Sequence, residues 1–558
     1  MMDWQRNGLL AGILLVAVLL FSQWLGFSEA RKPEPIAEQL LIPDQQQLPT
    51  ALVDELVDEA AAQSDLPQLS GSAAQLPAVT GTTNSRLVTI ESEQFTVVID
   101  SYGGDIVQVK LKQHLTEPQA KGGRPFTLLT RTQNNTYIAK SGLVGVNATD
   151  TRDVRPQFMV ARDNVEVDTG IEQLDLVTRQ AGVLLTKRFT FTPGSYQIGV
   201  EYLIDNTSAE RWSAVFYGQI NRDSHQPLVN ATGVQPYLGA ALRTTEKNYR
   251  KVTFGDMQEG KLQESIRGGW VAMLQHYFIG AWIPPQDATN HFSLRQIGGQ
   301  DLYVMGYTSE PIVVEPGQSG SYKTSFYAGP KDQDTLAELA EYLDLTIDYG
   351  FLWLLAKPIF TLMQWIHNVV GNWGWSIILL TVMIKLVLYP LSAASLKSMA
   401  KMRKLQPEMA RLKDLYGDDR QKMSAELMGL YKKHKVNPAG GCLPVLLQMP
   451  VFIALYWVLL ESVEIRHSSF IFWLTDLSAK DPYFVLPLIM GASMFFMQRL
   501  QPMPPDPMQA KIMQIMPIAF TFFFMLFPAG LVLYWTTNNL LSMAQQVIVN
   551  RQIENGKG

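Results

Sequence analysis

Cysteine is nearly missing from this chain. Cys442 is the only one in 558 residues, so no disulfide can form within it. That absence leaves the compartment of a soluble part open, since a cysteine-free domain is at home in oxidising and reducing surroundings alike. The seven histidines, His114, His225, His276, His291, His367, His434 and His467, are scattered, with no HExxH or comparable metal spacing. No GxSxG, Walker or GxGxxG element sits in a strand–turn–helix context. Metal, nucleophilic and nucleotide chemistry therefore have no footing, and no cofactor is expected. Charge is scarce as well, at 17% of residues against about 25% in ordinary soluble domains. A net charge of −5, though unevenly distributed, argues against a general nucleic-acid binder.

What is present divides the chain in two. Residues up to about 330 are polar, β-rich and punctuated by glycine, whereas Leu, Ile, Phe, Trp and Met dominate after about 350. Residues 8–27 are apolar for about the length of a membrane span. Ser28-Glu29-Ala30 loosely fits a signal-peptidase site, but signal cores are shorter, and an uncleaved anchor over 1–28 is the better reading. Residues 29–81 are rich in Pro, Gln, Ala and acids and read as a flexible tether. Residues 82–331 show short alternating strands with Gly, Asn and Asp turns, and so predict one large β-sandwich. Thr192-Pro193-Gly194-Ser195 is flanked by two such strands and predicts a hairpin. From 335 to 345 the period turns helical, with Leu336, Leu339, Ala340 and Leu343 on one face. Together with the interrupted apolar run 351–370 it predicts an amphipathic interfacial segment over 332–371.

The most informative residue lies in the next stretch. Lys385 falls inside the apolar run 373–391, where a charge at mid-membrane depth costs about 2.5–3.5 kcal/mol on insertion scales. The following loop, 392–438, holds Lys397, Lys401, Arg403, Lys404, Arg411 and Lys413 among its eleven lysines and arginines, against five acids. Such an excess stays cytoplasmic and orients everything around it. The loop reads as a helical hairpin, with Gly417 stopping one helix and Asp418 or Asp419 capping the next. Further spans are expected over 372–391, 439–460, 482–498, 512–527 and 528–549. An outer loop over 461–481 and cytoplasmic loops over 499–511 and 550–558 connect or follow them. The sum is a polytopic α-helical membrane protein of six crossings, with both termini inside and the β domain outside.

Thr381 and Lys385 share a helix face, and Gln448 lies mid-span between Pro444 and Pro450. Lys385 has two readings on spacing alone: it faces a wet, protein-lined cavity, or it snorkels to the cytoplasmic interface about a turn away. Gln448 and Thr381 are also ordinary helix–helix hydrogen-bonding residues. A channel or transporter would need charges on several helices, and polar groups here are sparse. A carbohydrate enzyme would rest on the sandwich alone.

Asn437-Pro438, Gly440-Gly441-Cys442-Leu443-Pro444, Gln448-Met449-Pro450 with Phe452, Tyr389-Pro390-Leu391, Leu405-Gln406-Pro407 and Phe527-Pro528-Ala529-Gly530-Leu531 form a set of motifs. Together they closely resemble those of YidC-type membrane protein insertases. Gly329-Pro330-Lys331 and Asp348-Tyr349-Gly350 match the junction between periplasmic domain and membrane core. The resemblance implies a periplasmic super-sandwich similar to galactose mutarotases and a five-helix insertase core. That core carries a hydrophilic groove open to cytoplasm and lipid. Lys385 takes the place of the family's groove arginine, a departure that keeps charge and loses the planar fork. Thr381, Gln448, Met449, Phe452, Tyr534 and Trp535 are implied to line the substrate path, Trp535 standing where tyrosine is usual. The implied partners are nascent membrane proteins, the ribosome at the basic hairpin, the Sec translocon and the lipid bilayer. Neither a catalytic residue nor a cofactor is implied.

Overall fold

The computed structural model describes residues 65–67, 85–151, 154–226, 236–260, 262–416, 419–434, 436, 443–500 and 507–554. The expected anchor over 8–27, most of the tether, Asn437-Pro438 and Gly440-Gly441-Cys442 lie outside them.

Two sheets, of ten and nine strands, stack around one apolar core. Their strands obey the two-residue period of a pleated chain: from Val183 to Phe191 every second side chain is buried. Val183–Phe191 and Gln197–Asn206 form the expected hairpin, with Phe191 opposite Ile198. Gly194 closes its turn at φ +79°, a backbone that only glycine adopts freely. In the ten-stranded sheet Trp212–Arg222 lies between Thr136–Val144 and Tyr303–Val314. Helix α1 (Phe254–Glu259) starts on a reciprocal capping box between Thr253 and Asp256.

Among the described residues the sandwich interior holds one lysine, Lys187. Its Nζ donates to the carbonyls of Gly103 (3.1 Å), Gly104 (2.8 Å) and Ser141 (2.8 Å). Burial pushes this amine down to about 7, although Asp105 and Asp150 pull the other way.

Beyond the sheets comes α2 (Gln333–Leu339), capped by Asp332. This helix is shorter than the expected 335–345. Ala340 is extended and Tyr342 left-handed (φ +66°), and a 3₁₀ turn, Leu343–Thr346, follows. The break still buries Leu336, Ala340 and Leu343 on one side. The helical half comprises α3 (Trp353–Val370), α4 (Trp373–Val387), α5 (Tyr389–Lys404), α6 (Gln406–Tyr416), α7 (Arg420–Lys433), α8 (Leu443–Glu461), α9 (Val485–Arg499), α10 (Pro507–Phe524) and α11 (Ala529–Glu554). A second apolar core joins the halves. It runs from Trp270, Ile279 and Tyr327 of the sandwich through Leu336 and Leu343 into α3, α4, α8 and α11. At the same seam Lys331 Nζ meets Glu461 Oε2 at 2.9 Å, both side chains buried.

Among the described residues no single helix is long and apolar enough to cross a membrane, although α4 and α5 pass together across a 70° bend. The stretch 373–391 is therefore not one rod. Pro390 lacks an N–H and its ring clashes one turn back, so the helix ends at Leu388 and a new one starts. The basic hairpin is also cut once more than its spacing suggests, since Pro407 opens α6 just after Leu405. On α6, Met409 is buried and Leu415 is exposed. Asp419 is the residue that caps α7, accepting from the Lys422 N–H at 3.0 Å. At the C-terminal side α10 already begins at Pro507, and α11 runs to Glu554, past the expected end at 549.

Candidate functional site

The centre of the site is the last turn of α4. Asn372 caps this helix by accepting from the Trp375 N–H at 3.2 Å, and Gly371 ends α3 in a left-handed turn. Those two residues set the rotation of α4, and with it the direction in which Thr381 and Lys385 point. Thr381 is buried, its hydroxyl donating to the Ile377 carbonyl one turn back at 2.6 Å. Lys385 is half-buried and turns inward: its Nζ donates to Ser542 Oγ on α11 at 2.7 Å. The ammonium therefore does not run along the outside of the bundle.

Ser542 belongs to a ladder of polar side chains on α11. Its Oγ donates to the Asn538 carbonyl at 2.7 Å, and the Asn538 side chain accepts from Gln448 Nε2 on α8. A turn further on, Gln545 Nε2 donates to Ser392 Oγ on α5 at 2.9 Å. Asn539 Nδ2 reaches Ser493 Oγ on α9 at 3.2 Å, and Gln546 Nε2 reaches the Leu500 carbonyl at 3.0 Å. One helix thus hydrogen-bonds side chains on four of its neighbours. In lipid every such group must be satisfied by protein or by water drawn in, so the ladder marks the polar axis of the bundle.

An aromatic wall stands beside it. Phe452 packs edge-on against Trp535 (4.7 Å between centroids) and near-parallel to Tyr534 (6.4 Å), and Phe524 lies 5.5 Å from Trp535. The Trp535 indole Nε1 is buried without a hydrogen-bond partner among the described residues. Met449, next to Gln448, is exposed.

Lys385, Gln448, Phe452, Tyr534 and Trp535 thus meet around α11, and Thr381 joins them through its own helix. Lys397, Lys401, Arg403, Lys404, Arg411 and Lys413 are apart from this group, all exposed along α5 and α6. Sequence reading passed over Asn538, Asn539, Ser542, Gln545 and Gln546. Their signal was available: polar residues three and four apart inside an apolar run make one face of a helix. Just outside the bundle, burial and the nearby Asp332 and Asp334 push the Glu464 carboxyl up to about 7.

Family comparison settles what kind of protein carries this arrangement. The family model described as 60Kd inner membrane protein matches residues 365–556, and the one described as YidC periplasmic domain matches 87–362. Membrane protein insertase YidC of Cellvibrio japonicus is 50% identical over 99% of both chains, and its namesake from Saccharophagus degradans is 50% identical over 99% of this chain and all of that one. The chain belongs to the YidC family. Within that family it is of the Gram-negative form, an inner-membrane protein with a periplasmic domain, and the family is not one of enzymes. Among solved structures, an active YidC insertase with its first transmembrane domain resolved is 19% identical over 82% of this chain and 94% of its own, at TM-score 0.37. A galactose mutarotase related enzyme from Lactobacillus acidophilus is 12% identical over 43% of this chain and 97% of its own, at TM-score 0.31.

Proposed function

We propose that this chain is a membrane protein insertase and chaperone, moving hydrophilic tails of inner-membrane proteins across the bilayer through a groove lined by Lys385, Thr381, Gln448, Met449, Phe452, Tyr534 and Trp535. The observation that carries this reading is the inward turn of Lys385 onto the polar ladder of α11, where its ammonium meets one protein acceptor among the described residues. The groove faces the cytoplasm. Six crossings place both termini inside and the β domain in the periplasm, with 332–371 lying on the outer interface. The basic residues of α5 and α6 collect the ribosome and nascent chain, and the Sec translocon supplies some substrates while others are inserted without it.

Each step follows from elementary forces. An acidic tail entering from the cytoplasm is drawn to Lys385, and the polar side chains of α11 replace part of its hydration. The following apolar segment slides past Phe452 and Trp535 into lipid, and burial of its surface drives the reaction without nucleotide hydrolysis. The protein need only lower the barrier for the tail, and each 1.36 kcal/mol removed is about tenfold in rate. Short helices assist: 15 residues of α4 span about 22 Å against about 30 Å of hydrocarbon, which favours local thinning.

The test is reconstitution of Lys385→Arg, Lys385→Ala and Lys385→Glu chains in liposomes with an acidic-tailed substrate. Arg retains insertion, Ala slows it by about tenfold and Glu stops it. Equal rates for all three would remove the electrostatic step and with it the proposed role of the groove.

A further inference from the structure

The stretch 29–81 reads as a flexible acidic tether, yet two of its residues are seated on the β domain. Asp65 and Leu66 lie on the outward face of the ten-stranded sheet, opposite the sandwich core. On strand Trp212–Arg222 the side chains of Trp212, Ala214, Phe216 and Ile220 enter that core. Val215, Tyr217, Gln219 and Asn221 alternate with them onto the other face. Leu66 covers that face, 8% exposed, in a small apolar cluster of its own with Val144, Val215 and Tyr217.

Polar contacts fix the segment in register. Lys140 Nζ and Asn221 Nδ2 both donate to Asp65 Oδ2, at 2.5 and 3.0 Å. Gln219 Nε2 donates to the Asp65 carbonyl and Arg295 Nη2 to the Leu66 carbonyl, each at 3.0 Å. Four side-chain donors on three strands thus converge on three acceptors of two consecutive residues. The strand register explains the convergence: Lys140 pairs with Gln219, Asn221 with Val304, and Val304 with Arg295, so the donors occupy adjacent cross-strand rows. Gln219 and Asn221 are each 2% exposed, an unusual depth for amides on an outer sheet face. Burial pushes the Asp65 carboxyl up, but the charge and hydrogen bond of Lys140, with Asn221 and the more distant Arg155, together outweigh it and hold the group below its usual range.

We infer that this face of the β domain is a peptide-binding site that selects an acidic–leucine–proline segment, and that the chain's own Asp65-Leu66-Pro67 fills it. Each residue type has a reason. The carboxylate answers Lys140, and the leucine fills the apolar patch. Proline restricts the preceding leucine to extended backbone, which reduces the entropy lost on docking. The tether contains two further Leu-Pro steps, Leu48-Pro49 and Leu76-Pro77, but glutamine precedes both. Only the middle one carries the acid.

The experiment uses the full chain in detergent and a fluorescein-labelled peptide of residues 63–69, followed by anisotropy. Asp65→Ala with Leu66→Ala empties the site, and this chain binds the peptide at least about tenfold more tightly than the wild type, whose own segment competes at high effective concentration. Peptides centred on Leu48 or Leu76 bind the emptied chain at least about tenfold more weakly, a difference of roughly 1.4 kcal/mol. Adding Lys140→Glu abolishes binding of the acidic peptide and creates binding of one with lysine in place of the aspartate, which shows that the variant is folded. Failure of the emptied chain to bind, equal binding by wild type and emptied chains, equal binding of the three peptides, or indifference to Lys140→Glu would each overturn the inference.

Discussion

Both halves of the molecule take a lysine out of bulk water, and they treat it differently. In the sandwich, Lys187 Nζ donates to three backbone carbonyls at 2.8–3.1 Å. In the helical half, Lys385 Nζ has one protein acceptor among the described residues, the Ser542 hydroxyl. An ammonium has three donors. All three are filled at Lys187, so that lysine serves the architecture and offers nothing to a ligand. Two remain for water or substrate at Lys385. What separates the two lysines is the count of satisfied donors, and on the proposed function the partly satisfied one meets substrate.

A third lysine marks the seam between the halves and carries the largest expected effect. Lys331→Met leaves Glu461 buried without its partner and destabilises the chain by about 3–5 kcal/mol. Replacing both residues by apolar ones restores most of that loss. Thermal unfolding of the full chain in detergent measures both, and a single substitution as mild as the double one would show that the pair does not join the halves.

Lys187→Met is next. It removes a donor from three buried carbonyls, of which Gly103 and Ser141 keep Arg155 Nη2, and lowers stability by about 1–3 kcal/mol, but insertion per folded molecule is unchanged. If this variant folds normally and inserts poorly, the distinction between the two lysines collapses.

Smallest is a pH effect at the seam. Glu464 is raised to about 7 by burial, so the folded chain binds a proton that the unfolded chain has already lost above about 4.5. That contribution is complete below the unfolded value and disappears as pH rises through about 7. Glu464→Gln removes the dependence. The melting temperature of the wild type, relative to the variant, falls between pH 6 and 7 by the equivalent of about 1 kcal/mol. Parallel profiles would mean that the carboxyl is not held in its protonated form.

Much of the fold was legible because local rules acted alone. The hairpin at Pro193-Gly194, the stop at Gly371, the start at Asn372 and the Asp419 cap each depend on a few neighbouring residues, and each lies where such residues place it. Helix ends were less legible. Pro390 divides 373–391 at Leu388 because its clash falls one turn back, and α2 gives way at Ala340 when Leu343 turns into the shared core. At the site, Thr381, Lys385 and Gln448 stood out as polar residues in apolar runs. The ladder of α11 followed the same pattern and was missed because amides and hydroxyls carry no charge to draw attention. Asp65 was hidden for the opposite reason, as one acid among many.

Sequence by itself determined the division into a strand-forming half and an apolar half, and the presence of a charge in an apolar helix. These follow from composition and period, which need no partner. Only tertiary structure decided which polar groups are filled and which are left over. Lys385 meets Ser542 across 157 residues and Asp65 meets Gln219 across 154, and spacing along one strand or helix carries no record of the element that packs against it.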